Sequence, residues 1–163
     1  MNDVMEMGIK ILGAWIAIWG FFRLLNGPKH LQFYAAGVGM TGWAVYLLVE
    51  CVNSGVVMKN FFAAFAVAAV SQLMARHFKT PVILFVVPGI LPMVPGAGMY
   101  QIVYTAVLGP ENMLGTYILQ TVTAAGSIAL GIFFAEGLLK ILLPGKVLEK
   151  KKRRNKKQTA DFR

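Results

Sequence analysis

Long apolar runs almost bare of charge dominate this chain: from Pro81 to Leu108, for example, no residue is charged. A soluble domain carries about a quarter charged residues. Here the share is 14% against 57% hydrophobic, and most of the charge lies outside the runs. Lipid is therefore the expected solvent for most of the chain. A bilayer supplies no water to a backbone, so runs of this kind must close their hydrogen bonds internally as helices. Five spans of about 20 residues each fit within the 163 residues and leave little for a soluble module.

The pattern predicts an all-α integral membrane protein, a bundle of five transmembrane helices. The first segment runs from about Val4 to Leu25, with Lys10 snorkelling outward, and the second follows the break Asn26-Gly27-Pro28, from about Leu31 to Val52. The third runs from about Asn60 to Met74. The fourth extends from Pro81 to Leu108 with an irregular middle, and the turn Gly109-Pro110-Glu111-Asn112 separates it from the fifth, Leu114 to Leu143. Pro144-Gly145 ends that helix, giving a transmembrane domain over residues 1–145 and a basic tail over 146–163. Asp3 and Glu6 stand where a cleavable signal would be positive, so the first segment is expected to remain. The single cysteine, Cys51, forms no internal disulfide or multi-cysteine metal site and reads as a packing residue.

The net charge of +9 is concentrated in the tail, where nine Lys or Arg against Glu149 and Asp161 give +7. A basic run directly after a span reads as a cytoplasmic anchor for anionic lipid rather than a nucleic-acid site. With five spans and that tail inside, 14 of the 16 basic residues fall on the inner side, leaving only Lys10 and Lys59 outside. The expected topology is an outside N-terminus and a cytoplasmic C-terminus. The same count favours reading segment four as one interrupted span, because a re-entrant hairpin would send the tail outward.

Helices in lipid pack through small residues. Three stripes offer such faces: Ala35, Gly39 and Gly42; Ala64, Ala68 and Ser71; and Ser127, Gly131 and Ala135.

The most informative stretch for chemistry is Pro88-Gly89-Ile90-Leu91-Pro92-Met93-Val94-Pro95-Gly96-Ala97-Gly98-Met99-Tyr100. Three prolines remove three donors and oppose continuous helix, and unwound backbone inside a membrane belongs where protein buries it or a wet cavity meets it. Counted from Pro81, with Thr80 as the expected cap, Pro95 lies about 21 Å along at 1.5 Å per residue, in the middle part of a hydrocarbon layer about 30 Å thick. A second half-helix starting at Pro95 would offer the free amides of Gly96, Ala97 and Gly98 and a positive dipole end to a carboxylate. Tyr100, Gln101 and Tyr104 stand nearby as polar candidates. A kinked helix without ligand is the alternative.

Ala75-Arg76-His77-Phe78-Lys79-Thr80-Pro81 with Phe85, then Pro88 to Gly96 and Tyr100, resembles the core of the bacterial threonine/serine exporter family. The likeness is to its C-terminal half, which also occurs as a separate small, YjjB-type subunit. It extends through Asn26-Gly27-Pro28, the Gly-rich second segment and Phe61-Phe62-Ala63-Ala64. The resemblance implies a multi-pass protein of the bacterial inner membrane that exports threonine and serine, or in some members a dicarboxylate such as succinate. It also implies a larger multi-span partner subunit. The substrate candidates are then Pro88, Gly89, Pro92, Pro95, Gly96, Gly98, Tyr100 and Tyr104.

Glu50, near the outer end of segment two, is a candidate for proton coupling or a water-facing interfacial acid. Arg76 is a topology determinant or an entrance residue gathering anionic substrate. Gln120, Thr121, Thr123 and Ser127 either line a polar path or bond between helices. Glu136 and Lys140, four apart, are spaced for an intrahelical ion pair. His30 and His77 lack companions at ligand spacing, so no metal site is expected. No GxxxxGK[ST] loop, HExxH or Ser/His constellation occurs, so neither an enzyme nor a bound cofactor is expected. The sequence thus leaves an exporter subunit, with a structural or assembly subunit as the alternative.

Overall fold

A computed structural model describes residues 2–52 and 55–142, with side chains described over 5–52, 55–110 and 113–142; the basic tail lies outside the described residues. Every regular element among them is helical: α1 (Asn2–Leu24), α2 (Gln32–Cys51), α3 (Val56–Phe78), α4 (Ile83–Ile90), α5 (Gly96–Leu108) and α6 (Glu111–Leu142), with short 3-10 turns at Lys29–Leu31 and Leu91–Met93.

Three described helices are long and apolar enough to cross a membrane: Met5–Leu24, Val56–Phe78 and Met113–Leu142. A fourth candidate is the pair formed by α4 with its 3-10 turn and α5, bent by 51°. The expected five spans are thus three or four by length and composition. The shortfall is α2, whose 20 residues include Gln32, Glu50 and four glycines or threonines between Gly37 and Gly42. Gln32 is sheltered by protein, being buried with its Nε2 donating to the Trp19 carbonyl at 2.9 Å, whereas Glu50 at the other end is half exposed.

Two helix ends close in the same way. Past α1, the Gly27 amide donates to the Phe22 carbonyl and the Asn26 amide to Arg23, with Asn26 left-handed at φ 53°. Past α3, the Thr80 amide donates to Ala75, with Lys79 left-handed at φ 55°. This wrap satisfies orphan carbonyls and reverses the chain. Thr80 therefore closes α3 instead of capping α4, which starts two residues beyond Pro81 without a side-chain cap. Helix α3 also starts four residues earlier than expected, so Lys59 lies within its first turns, where it pairs with Glu50, their Nζ and Oε1 lying 2.8 Å apart.

Helices α1, α2 and α3 pack in sequence, α6 lies on the far side of α3, and α5 rests on α6, while α4 fits between α2 and α3. The core is made by Ile18, Phe22, Leu31, Val38, Val67 and Phe85. All nine residues of the three small-residue stripes are buried. At Gly89 a Cβ would meet the Val67 and Val38 side chains, and the Gly39 amide nitrogen would lie 3.8 Å away. Helices α3 and α6 run parallel: Gly131 lies against Phe61 near the start of α3, and Arg76 near its end donates to the Leu139 carbonyl at 3.5 Å.

Candidate functional site

The proline-rich stretch is less unwound than three prolines suggest. Pro88 sits inside α4, and Leu91–Met93 forms one 3-10 turn that carries Pro92. The corner itself is Val94-Pro95. Pro95 has φ −76° and ψ 56°, and the Gly96 amide donates back to the Val94 carbonyl at 2.7 Å, an inverse γ-turn. Of the three amides expected to be free, Gly96's is therefore taken. Met99 donates to the Pro95 carbonyl at 3.1 Å, which leaves Ala97 and Gly98 as the first-turn amides with no backbone acceptor among the described residues.

Beside this turn lies a cleft of about 280 Å³ between α5 and α6. Pro95, Gly98 and Gln101 line it from the α5 side, and Gln120, Thr121 and Thr123 from α6, with Val56 of α3 at the edge. Gly98 is needed for the approach itself, because a Cβ there would strike the Thr121 hydroxyl. Gly98, Gln101 and the buried Thr105 recur at three and four residues, so they share one face of α5.

The hydroxyls of the cleft are already oriented. Thr121 donates to the Tyr117 carbonyl at 2.7 Å, and Thr123 to Leu119 at 2.8 Å. Ser127, buried one turn further on, donates to Ala124 at 2.7 Å. Each bond stays within α6, so these oxygens turn lone pairs outward and act as acceptors. The Gln101 and Gln120 amides supply both donors and acceptors. None of the lining residues is charged.

The sequence candidates do not converge on one spot. Pro95 and Gly98 line the cleft, and Gly96 adjoins it with open space where a Cβ would stand. Pro88 and Gly89 are buried against α2 and α3 as packing residues. Pro92 lines a different cleft, between α1 and α2. Tyr100 and Tyr104 stack on each other with ring centroids 6.0 Å apart on the outer face of α5, 68% and 50% exposed, and line neither cleft. Glu50 is held by Lys59, whose ammonium lies 5.3 Å from the centre of the Tyr46 ring. Arg76 reaches the α6 backbone. Glu136 and Lys140 form no ion pair with each other among the described residues, in line with the few tenths of a kcal/mol such exposed pairs supply. No group of three His, Cys, Asp or Glu side chains gathers at metal-binding distance among them either.

Sequence reasoning overlooked Thr105 and Val56. The recurrence of small and polar residues through Gly98, Gln101 and Thr105 is the signal that marks this face.

The model of the family described as "Threonine/Serine exporter, ThrE" matches residues 10–138. The chain belongs to the threonine/serine exporter family. A threonine/serine exporter of Corynebacterium glutamicum is 34% identical over 136 residues, covering 75% of this chain. The chain spans 27% of that exporter's length. No solved structure matches. Both the helical break and the α5–α6 cleft fall within the stretch matched to the exporter family, which is a family of transporters and not of enzymes.

Proposed function

We propose that this chain is the membrane subunit of a secondary exporter for threonine and serine, and that the α5–α6 cleft is its substrate site. The observation that carries the reading is an uncharged cleft lined by Gln101, Gln120, Thr121 and Thr123 next to the free amides of Ala97 and Gly98. A zwitterionic amino acid suits that arrangement. Its carboxylate meets the α5 amides and the positive end of the helix dipole, its ammonium meets the threonine and glutamine oxygens, and a small hydroxyl side chain finds the remaining amide groups. A dicarboxylate would bring a second negative charge with no cation to receive it, a costly placement away from bulk water.

The membrane arrangement that accompanies this reading is five crossings, with α2 as a span sheltered by its neighbours and α4–α5 as one broken span. Parallel packing of α3 and α6 supports it, since the chain between them must return from one end of the bundle to the other. The 14 to 2 split of basic residues supports an outside N-terminus. Because the matched stretch is 27% of the relative, we assign the remaining transport machinery to a larger multi-span partner.

The test is flux from liposomes holding this chain together with such a partner. Threonine and serine should leave under an ion gradient, with succinate left behind. Gln101→Leu and Gln120→Leu should each weaken apparent affinity about two- to tenfold, the value of one hydrogen bond. Succinate efflux equal to that of serine would remove the zwitterion reading.

A further inference from the structure

A second recess lies between α1 and α2, and none of its residues lines the α5–α6 cleft. Its larger part, about 400 Å³, is walled by Gly13, Ala14 and Ala17 of α1, Trp43 of α2, and Pro92 at the break. Its smaller part, about 210 Å³, is lined by Glu6, Lys10, Leu47, Glu50 and Cys51. Lys10 belongs to both, so an apolar groove runs directly into a charged pocket.

The groove is open along helices that read as membrane-spanning, and its walls offer almost nothing for water to bond. Apolar cavities stay dry, so what fills it is a chain of the surrounding solvent. The charged end decides which one. Glu6 and Glu50 place two carboxylates at the pocket, each paired with one ammonium, Glu6 with Lys10 at 2.7 Å and Glu50 with Lys59 of α3 at 2.8 Å, so the pocket presents both signs of charge and is neutral overall. A purely anionic headgroup would find each ammonium already shared with a carboxylate and would leave the acids' remaining oxygens without a cation. A headgroup with its own ammonium finds acids for that group, and its phosphate finds Lys10, which uses one of three donors on Glu6 at 2.7 Å and is half exposed. Trp43 and Tyr46 stack beside the groove with ring planes 3° apart, a pair of the kind that sits at the headgroup level.

We propose that the α1–α2 groove holds a zwitterionic, amine-bearing phospholipid, with an acyl chain along Gly13, Ala14 and Ala17 to Pro92, its phosphate at Lys10 and its ammonium between Glu6 and Glu50. The lipid would press on the break from the side opposite the α5–α6 cleft.

The experiment is native mass spectrometry of the full chain in mild detergent. Phosphatidylethanolamine and phosphatidylglycerol of identical acyl chains are titrated separately. The wild type should retain the amine lipid about fivefold more than the glycerol lipid, roughly 1 kcal/mol. Glu50→Gln should bring the two towards equal retention. Ala17→Phe, which fills the groove from an exposed wall position, should lose both. Leu130→Phe on the outer face of α6 should change neither. Thermal unfolding checks that each variant is folded, and Ala17→Phe keeps the test independent of the Glu50–Lys59 pair. Equal retention of the two lipids by the wild type overturns the proposal, as does full retention in Ala17→Phe. A photo-crosslinker at Ala14 that labels a second polypeptide instead of lipid also overturns it, because the groove is then a protein interface.

Discussion

The carbonyl oxygen of Phe61 faces Gly131 so closely that a Cβ on the glycine would stand 2.5 Å from it. Backbone meets backbone here, and neither can yield as a flexible side chain would. Gly131→Ala should therefore part α3 from α6 and destabilise the protein by about 1–3 kcal/mol, the usual cost of overpacking. Gly126→Ala on the same helix meets open space and should not destabilise, gaining up to about 1 kcal/mol from alanine's better helix propensity. Thermal unfolding in detergent compares the two.

The Glu50–Lys59 pair predicts a double-mutant result. Lys59's side chain is only 14% exposed, so Glu50→Gln leaves a largely buried ammonium without its carboxylate, and Lys59→Met leaves an acid without its cation. Each single change should cost about 1–3 kcal/mol, as for hydrogen bonds to charged groups. The double variant should cost less than the sum of the two, with the coupling read from denaturation of all four proteins.

Gly96 and Gly98 should respond differently to a side chain. Gly96 has open space, so Gly96→Val should insert, fold and assemble normally while losing export, because it adds bulk beside the Ala97 and Gly98 amides. Gly98→Ala would strike Thr121 and should lose both export and thermal stability. Normal flux from well-folded Gly96→Val would make the break a structural feature without a carboxylate site.

Tyr100→Phe should leave apparent substrate affinity unchanged. The hydroxyl sits on the outward face of α5, on a ring stacked against Tyr104, and away from the cleft. A several-fold loss of affinity in reconstituted flux would show that substrate travels along the outer face instead.

Reporter fusions after Leu108 should give an external signal, and fusions after Lys79 a cytoplasmic one. A cytoplasmic signal at both positions would make α4–α5 re-entrant.

Much of the packing is legible in the sequence, because small residues repeated at helical spacing identify a face by geometry alone. Ala35, Gly39 and Gly42 are buried for that reason. The site was legible only in part. Proline marks where helix is opposed but not how far it unwinds, so the sequence puts Pro88 in the break although it continues α4. Tyr100 suggests itself by its polarity and nearness in sequence, while helical rotation of about 200° carries it to the opposite side of α5 from Gly98, and it lines no part of the cleft. The partner of Glu50 depends on how the chain turns between α2 and α3, and no local pattern encodes that approach.

The two halves of the bent segment answer to different neighbours. Helix α4 is wedged between α2 and α3, whereas α5 leans on α6. A shift of α5 along α6 would thus leave α4 in place, and the mismatch would be absorbed at Val94-Pro95. The proline ring fixes one of the four torsions there, so the adjustment falls on the other three, φ and ψ of Val94, now at −59° and 128°, and ψ of Pro95, now at 56°. The corner behaves as a joint with very few degrees of freedom, and the direction in which α5 swings is largely set by covalent geometry.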